Sequence, residues 1–371
     1  MIYVTRYRIY PSNLIKDEIF RQFGICTTIR NIFLDRGNFD KRQLPILKQE
    51  CPEFKTVHSV VLQNLVDQIK DNIKALHRLK KNGKRVGRLR HKPVRSMIYE
   101  QTGFKLTKSD LELSKIGKMK IRISRPIPGT IKQIVLKFTP SHKWFVSIIS
   151  RDSDDPIQCD ESQKLGIDLN LENFSTDSDG IVTENPRNLK RSLVQLGRAQ
   201  RKLSRKKKGS NNRRKQRFKV AKIHETIVNR RDDFLHKWST KYVYQSNYSG
   251  IAVEKLNIKK MLEGGNFRSF NRSIADASWG KAREFLKYKA ERAGISFKEI
   301  DPSYTSQTCS KCGNIQKIGL NIRTYSCPYC GSILNRDLNA AINIRNRAFV
   351  GLVTPELTPL EIRTSVQPCV V

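Results

Sequence analysis

Acidic residues are scarce in this chain, 34 Asp and Glu against 71 Lys and Arg over 371 residues. The net charge of +37 and the pI near 10.1 point to a polyanionic partner, and the excess is too large for one small groove. Long apolar runs are also missing. No stretch approaches the ~18 consecutive apolar residues that read as a membrane-spanning helix, and Met1-Ile-Tyr-Val-Thr-Arg6 reads as a strand, not a signal peptide. A membrane surface is therefore the weaker partner for the charge and nucleic acid the stronger, with the prokaryotic cytoplasm the expected location. Histidine is sparse: six residues, at 58, 77, 91, 142, 224 and 236, have neither metal-ligand spacing nor the pattern of a ββα finger. A histidine-based nuclease is thereby disfavoured.

Half of the cysteines are gathered in one place. Of eight, Cys26, Cys51, Cys159 and Cys369 stand singly, while Cys309-Ser-Lys-Cys312 and Cys327-Pro-Tyr-Cys330 form two pairs separated by fourteen residues. That spacing is expected of a zinc ribbon, in which each knuckle turns two thiolates toward one tetrahedral ion. Disulfides are the plainer alternative, and a reducing compartment argues against them. Four thiolates close the zinc shell, so this one ion is structural and leaves no position for a catalytic water.

Along the chain, residues 1–12 read as a strand ending at Pro11, and 13–95 carry helical periodicity, with Val61, Leu65, Ile69, Ile73 and Leu76 on one face. Residues 96–150 turn to strand character in Lys118–Ser124, Ile131–Phe138 and Lys143–Ile149. A small β-barrel interrupted by a helical insertion fits both. From 164 the order is a strand, a turn at Ser178-Asp-Gly180, a second strand and two long helices. A strand at Glu254, a helix around 276–293, a strand at Ile295–Ile300, the cysteine insert and a last helix from Asp337 follow. Strands followed by alternating helix and strand predict an RNase H-like layout.

The first long helix and the turn after it lack acidic residues altogether. Between Arg187 and Lys222 there are sixteen Lys or Arg and no Asp or Glu, while Leu189, Leu193, Leu196 and Leu203 keep an apolar stripe. A charge run is ordinarily a solvated face, but like charges this dense repel unless a polyanion neutralises them. Arg205, Lys206, Lys207, Lys208, Arg213, Arg214, Lys215 and Arg217 are the expected nucleic-acid contacts. The second helix is expected to pack through Ile227, Phe234, Leu235 and Trp238.

Against this basic background three acidic residues stand at element edges: Asp168 in Lys164-Leu-Gly-Ile-Asp-Leu-Asn170, Glu254 in Gly250-Ile-Ala-Val-Glu-Lys-Leu256, and Asp337 in Leu334-Asn-Arg-Asp-Leu-Asn-Ala-Ala341. Each alone has an ordinary reading: Asp168 and Glu254 as strand-end residues, Asp337 as a first-turn residue favoured by the helix dipole. Together they suit a metal-dependent nuclease, because the expected fold sets the ends of its first and fourth strands side by side with the last helix over them. Carboxylates there would hold two Mg²⁺ or Mn²⁺ ions, one helping to form the attacking hydroxide and one stabilising the leaving 3′ oxygen.

Several segments resemble the TnpB (OrfB) proteins of bacterial and archaeal insertion sequences, relatives of the type V CRISPR effector nucleases. They are Tyr7-Arg-Ile-Tyr-Pro11, Gly166-Ile-Asp-Leu-Asn170, Val253-Glu-Lys-Leu256, Lys281–Glu291, Thr305-Ser-Gln-Thr-Cys-Ser-Lys-Cys-Gly313, Asn335-Arg-Asp-Leu-Asn-Ala-Ala-Ile-Asn343 and Thr354–Pro359. The resemblance implies an RNA-guided DNA endonuclease acting beside a short target-adjacent motif, with a guide RNA and double- and single-stranded DNA as partners. It implies an α+β multidomain chain. A wedge β-barrel would span 1–12 and 96–160, with a helical recognition insert at 13–95. A RuvC nuclease domain would span 161–304 and 336–350, with the zinc ribbon at 305–335 and an unstructured tail at 351–371. The family's catalytic Asp, Glu and Asp fall on Asp168, Glu254 and Asp337. Gln63, in Val61-Leu-Gln-Asn-Leu65, falls among the residues that read the adjacent motif. A nuclease-silent RNA-guided repressor and a transposase on the same fold are the alternatives; the complete acidic trio argues against the first and the ribbon's position against the second.

Overall fold

A computed structural model describes residues 1–152, 163–264, 268–319 and 321–350. The expected tail at 351–371 and the last part of the expected barrel segment, 153–160, lie outside them. The chain divides into two compact units, Met1–Asp155 with Ala199–Lys222, and Pro156–Arg198 with Ile223–Val371.

In the first unit β1 (Ile2–Tyr10) alternates sides, with Tyr7 and Ile9 buried and Val4 and Tyr10 exposed, as a strand facing a core on one side must. Three helices follow: α1 (Asn13–Arg36), α2 (Gln43–Glu50) and, after a 3₁₀ turn at Pro52–Thr56, α3 (Ser59–Lys81). Helix α1 begins where the Ser12 hydroxyl accepts from the Ile15 N–H and stops at Gly37 in the left-handed conformation, φ 64°. On α3 the expected stripe buries Val61, Leu65 and Ile69, joined by Leu62 and Val66. Six further strands follow: β2 (Ser96–Glu100), β3 (Phe104–Leu106), β4 (Asp110–Leu113), β5 (Gly117–Arg122), β6 (Thr130–Phe138) and β7 (Trp144–Arg151). With β1 they form a barrel-like antiparallel sheet in the order β2-β6-β7-β1-β5-β4-β3. Its inner face shares one core with the helices, through Trp144, Val146 and Ile148 of β7 and Ile19, Phe23 and Ile29 of α1.

The second unit is built on a five-stranded sheet. Strands β8 (Lys164–Leu169), β9 (Asn173–Asp177) and β10 (Val182–Glu184) run as an antiparallel meander. Two helices, α4 (Asn188–Ser204) and α5 (Asn211–Tyr244), lead to β11 (Gly250–Glu254), which pairs parallel with β8. Helices α6 (Ile258–Gly264), α7 (Arg268–Ala277) and α8 (Trp279–Arg292) lead to β12 (Ser296–Ile300), parallel to β11. The sheet order is β10-β9-β8-β11-β12. Strand β11 is buried throughout and β8 from Leu165 onward, as parallel strands covered on both faces are. A small hairpin, β13 (Thr324–Ser326) with β14 (Ile333–Asn335), precedes the last helix, α9 (Arg336–Phe349).

The single helix expected around 276–293 is two. Ser278 adopts a left-handed conformation, φ 54°, and separates α7 from α8. The change of direction lets Ile274 and Ala277 on one side and Trp279 and Ala282 on the other enter the same core.

Helix α9 lies directly on β8. A Cβ at Gly166 would stand 2.1 Å from the Ala341 carbonyl oxygen and 2.5 Å from the Arg345 N–H nitrogen, so only glycine allows this approach. Gly166→Ala should therefore cost at least ~3 kcal/mol, the upper range for overpacking, since backbone and not a side chain must yield. Urea unfolding midpoints of the two proteins check it; an unchanged midpoint would refute the contact.

Candidate functional site

The close approach at Gly166 sets the register of the acidic residues. Two strand residues and one helical turn both advance about 6 Å. Asp168 is two residues beyond Gly166 on the same face of β8, and Asp337 is one turn before Ala341 on the same face of α9. Glu254 ends β11, one position past the Ile167–Val253 pair of the parallel ladder. All three carboxylates are buried, Asp168 9%, Glu254 6% and Asp337 7% exposed.

Their neighbours hold them apart and in place. The Asn170 amide donates to Asp168 Oδ2 at 3.4 Å and to Asp337 Oδ2 at 3.2 Å, bridging strand and helix. Thr305 Oγ1 donates to Glu254 Oε1 at 2.5 Å. Arg323 pairs with Glu172 and lies 3.8 Å from Asp337 Oδ2, while Arg336 Nε is 3.7 Å from Asp337 Oδ1. Burial, then the charges of Glu254 and Asp337, raises the Asp168 pKa well above the ordinary aspartate range. Burial likewise raises Glu254, against the opposing hydrogen bond from Thr305. A buried, mutually repelling carboxylate set of this kind gains charge balance from bound cations and offers the hard oxygen donors that Mg²⁺ or Mn²⁺ takes.

The four cysteines do gather. Cys309 Sγ is 3.7 Å from Cys330 Sγ and Cys312 Sγ is 3.6 Å from Cys327 Sγ, and all four sulfurs lie within 4.8 Å of one another. Tetrahedral ligation at Zn–S of ~2.3 Å gives sulfur–sulfur edges of about 3.8 Å, so the cluster fits one zinc ion. Among the described residues this is the set of three or more candidate ligands so gathered; the three carboxylates do not form one. Each knuckle turns in the same way: Gly313 N–H donates to Cys309 O and Gly331 N–H to Cys327 O. Both glycines are left-handed, at φ 77° and 69°, a conformation glycine adopts without penalty. The backbone N–H of Cys330, with that of Tyr329, outweighs burial and brings the Cys327 thiol down to about 6, while its neighbour Cys312 is raised, so that without an ion the two sulfurs share a proton.

A polar stripe outside the expected site residues joins the ribbon to the last helix. Asn335 closes the β13–β14 ladder opposite Thr324 and also caps α9, its side chain accepting from the Asp337 and Leu338 N–H groups at 2.9 and 3.3 Å. One and two turns on, Asn339 donates to Thr308 O at 2.7 Å, and Asn343 to Thr305 O at 2.9 Å and Thr308 O at 2.7 Å. Asparagine every fourth residue, on the helix face where apolar residues belong, was the available signal.

The expected nucleic-acid contacts divide. Arg205, Lys206, Lys207, Lys208, Arg214, Lys215 and Arg217 are exposed. Arg213 is half-buried, its guanidinium donating to the carbonyls of Leu203 at 2.9 Å and Lys206 at 2.8 Å, so it caps the end of α4 and holds the turn to α5. Gln63 is exposed on α3, one residue from the buried Leu62.

Comparison with known proteins follows the same lines. Residues 148–264 match the OrfB_IS605 family model, described as a probable transposase, and residues 279–344 match the Cas12f1-like TNB domain. A Streptomyces pristinaespiralis protein named "Putative RNA-guided DNA endonuclease" is 31% identical over 91% of this chain and 87% of its own length. An Escherichia coli K12 protein of the same name, InsQ, is 30% identical over 91% of this chain and 90% of its own. In fold, the chain resembles the protein in a cryo-EM structure of a Cas12f1–sgRNA–target DNA complex, with TM-score 0.59 and 13% identity over 94% of this chain and 99% of that one.

Proposed function

The chain belongs to the TnpB (OrfB) family of transposon-encoded proteins, and from that premise we propose that it is an RNA-guided DNA endonuclease of an insertion sequence, holding two Mg²⁺ or Mn²⁺ ions between Asp168, Glu254 and Asp337. The observation that carries this reading is that three buried carboxylates from β8, β11 and α9 are neighbours: Asn170 bridges Asp168 and Asp337, and the charges of Glu254 and Asp337 both raise the Asp168 pKa. Three antiparallel strands continued by two parallel ones support an RNase H-like, RuvC-type sheet under them. In this reading 161–304 and 336–350 are that domain and 305–335 the ribbon. Residues 1–12 and 96–160 are the wedge barrel, 13–95 the recognition insert. Gln63 then reads a motif beside the target.

The cations, when bound, activate the attacking water and neutralise the leaving oxygen. The protein's own part is placement. Asn170 sets the spacing of Asp168 and Asp337, Thr305 aims the Glu254 carboxylate, and the Arg323 and Arg336 guanidinium groups add positive charge beside Asp337. The ribbon stays outside the chemistry, its shell closed by four thiolates.

Purified protein with its copurified RNA should linearise plasmid carrying a matching target, and ribonuclease treatment should abolish this. Binding without cutting would indicate the silent repressor, and strand joining the transposase.

Protons and cations compete for Asp168. A carboxyl whose pKa is raised on folding adds stability at low pH and loses that contribution as pH rises through its folded range. Without divalent ions, the Asp168 contribution to thermal stability, read as wild type minus Asp168→Asn, should therefore decline as pH rises from ~4, the ordinary aspartate value. Mg²⁺ should offset that decline. Melting temperatures of both proteins across that range, with and without Mg²⁺, test this; a pH-independent difference between them would contradict the buried, repelled carboxylate.

Exchange of Arg205, Lys206, Lys207 and Lys208 for Gln should lower the slope of log affinity against log salt by roughly 3 if all four meet phosphates of a single strand. Filter binding of RNA at several salt concentrations measures it. An unchanged slope would return these side chains to solvent.

A further inference from the structure

The first unit contains a cavity of about 570 Å³, within the ~300–1,000 Å³ typical of ligand pockets. Aromatic rings form much of its wall. Phe138 meets Phe20 edge-on at 5.1 Å and lies 5.6 Å from the His142 imidazole, which is 4.6 Å from Phe218 at the start of α5. His142 is held there by an unusual backbone. It has φ 57° in the β6–β7 turn, where Thr139 Oγ1 hydrogen-bonds Ser141 Oγ and both the N–H and the carbonyl of Lys143. Positive φ in a non-glycine residue costs energy, and it is kept here where it brings an imidazole between two rings.

The rim is cationic. Arg95, Arg214 and Arg217 line the same cavity, no Asp or Glu does, and among the described residues none of the three is in an ion pair.

Gly24 gives a second, independent indication. It sits mid-helix in α1 and faces the cavity, yet a Cβ there would meet nothing within 4 Å and its φ is not positive. Glycine weakens a helix, and neither backbone conformation nor crowding requires it here. What it supplies is open space.

We propose that this cavity takes one unpaired nucleotide of the guide RNA, its base stacked among Phe138, His142 and Phe218 and its phosphates held by Arg95, Arg214 and Arg217. The proposal rests on the RNA-guided reading above. Rings for a base and guanidinium groups for phosphate are the two parts of a single-stranded nucleic-acid site. RNA is favoured over DNA because loops and bulges of a folded RNA present bases already unstacked, whereas a base in duplex DNA must first be unpaired and extruded at a cost.

The test is ultraviolet crosslinking of full-length protein to its copurified RNA, with the crosslinked peptides and nucleotides identified by mass spectrometry. Crosslinks should fall on the peptides holding Phe138, His142 or Phe218 and join a single ribonucleotide. Gly24→Leu fills the space while improving the helix, so it should fold as well as wild type and lose about tenfold in crosslink yield, as should Phe218→Ala. Full yield in Gly24→Leu, crosslinks only elsewhere, or crosslinks to target DNA at these peptides would overturn the proposal. Ribonuclease-sensitive DNA cleavage, measured on the same preparations, separates the two claims: cleavage with no crosslink here removes the pocket alone, and ribonuclease-resistant cleavage removes the guided reading beneath it.

Discussion

Glu254→Ala should reduce DNA cleavage by about 10³-fold or more while target binding stays within a few-fold of wild type. The magnitude follows from cation assistance worth several kcal/mol at the reacting phosphate, at ~1.4 kcal/mol per tenfold in rate. Glu254 is buried at the end of β11, its carboxylate receives one hydrogen bond from Thr305, and among the described residues it is in no ion pair, so its removal would take away the proposed ligand without breaking a salt bridge. Asp168→Ala and Asp337→Ala should have the same effect, with some loss of stability for Asp337, whose carboxylate lies beside Arg323 and Arg336. Single-turnover cleavage and filter binding on the same preparations measure it. Wild-type cutting by Glu254→Ala would remove Glu254 from the chemistry.

The second large effect is expected at the ribbon. Cys327→Ser should lose the zinc ion, and with it folding energy on the order of 10 kcal/mol as found in small zinc sites. The loss should stay local, because Cys309, Tyr325 and Cys327 form a small core of their own, separate from the one around β8 and β11. It should nevertheless reach the acidic site. Strand β14 ends at Asn335, which caps α9, and Asn339 and Asn343 tie the same helix to the chain entering the first knuckle. Amide exchange around Asp337 should therefore quicken and cleavage should fall even with excess Mg²⁺. Zinc retained at one ion per chain would refute the four-thiolate site, and full cleavage by zinc-free protein would refute its support of the helix.

Much of this organisation was legible in residue order, for physical reasons that differ by element. The ribbon could be read because zinc chemistry demands two CxxC pairs, and the glycine after each pair marks the left-handed turn that closes the knuckle. The parallel strands could be read because burial on both faces leaves apolar runs such as Ile251-Ala-Val253. Position along the chain also placed Asp168, Glu254 and Asp337 on neighbouring elements. Other features depend on what the fold brings close. The direction change at Ser278 comes from packing two helices into one core, and only Ser278 and Gly280 mark it faintly in the sequence. Arg213 looked like its basic neighbours, yet it alone spends its guanidinium on two carbonyls, because the turn at Gly209 returns it to the end of α4. Thr305 and Asn170 gained their parts only once chain 51 and 167 residues away had folded beside them, a separation that hid both contacts from residue order.

If Asp168, Glu254 and Asp337 together hold divalent cations, the ions should be visible directly. Anomalous difference maps from crystals of the protein with guide RNA and target DNA, grown in Mn²⁺, test it most directly. Two manganese peaks among these three carboxylates are predicted, disappearing in Asp168→Ala; manganese absent from that cleft in the wild-type complex would contradict the account.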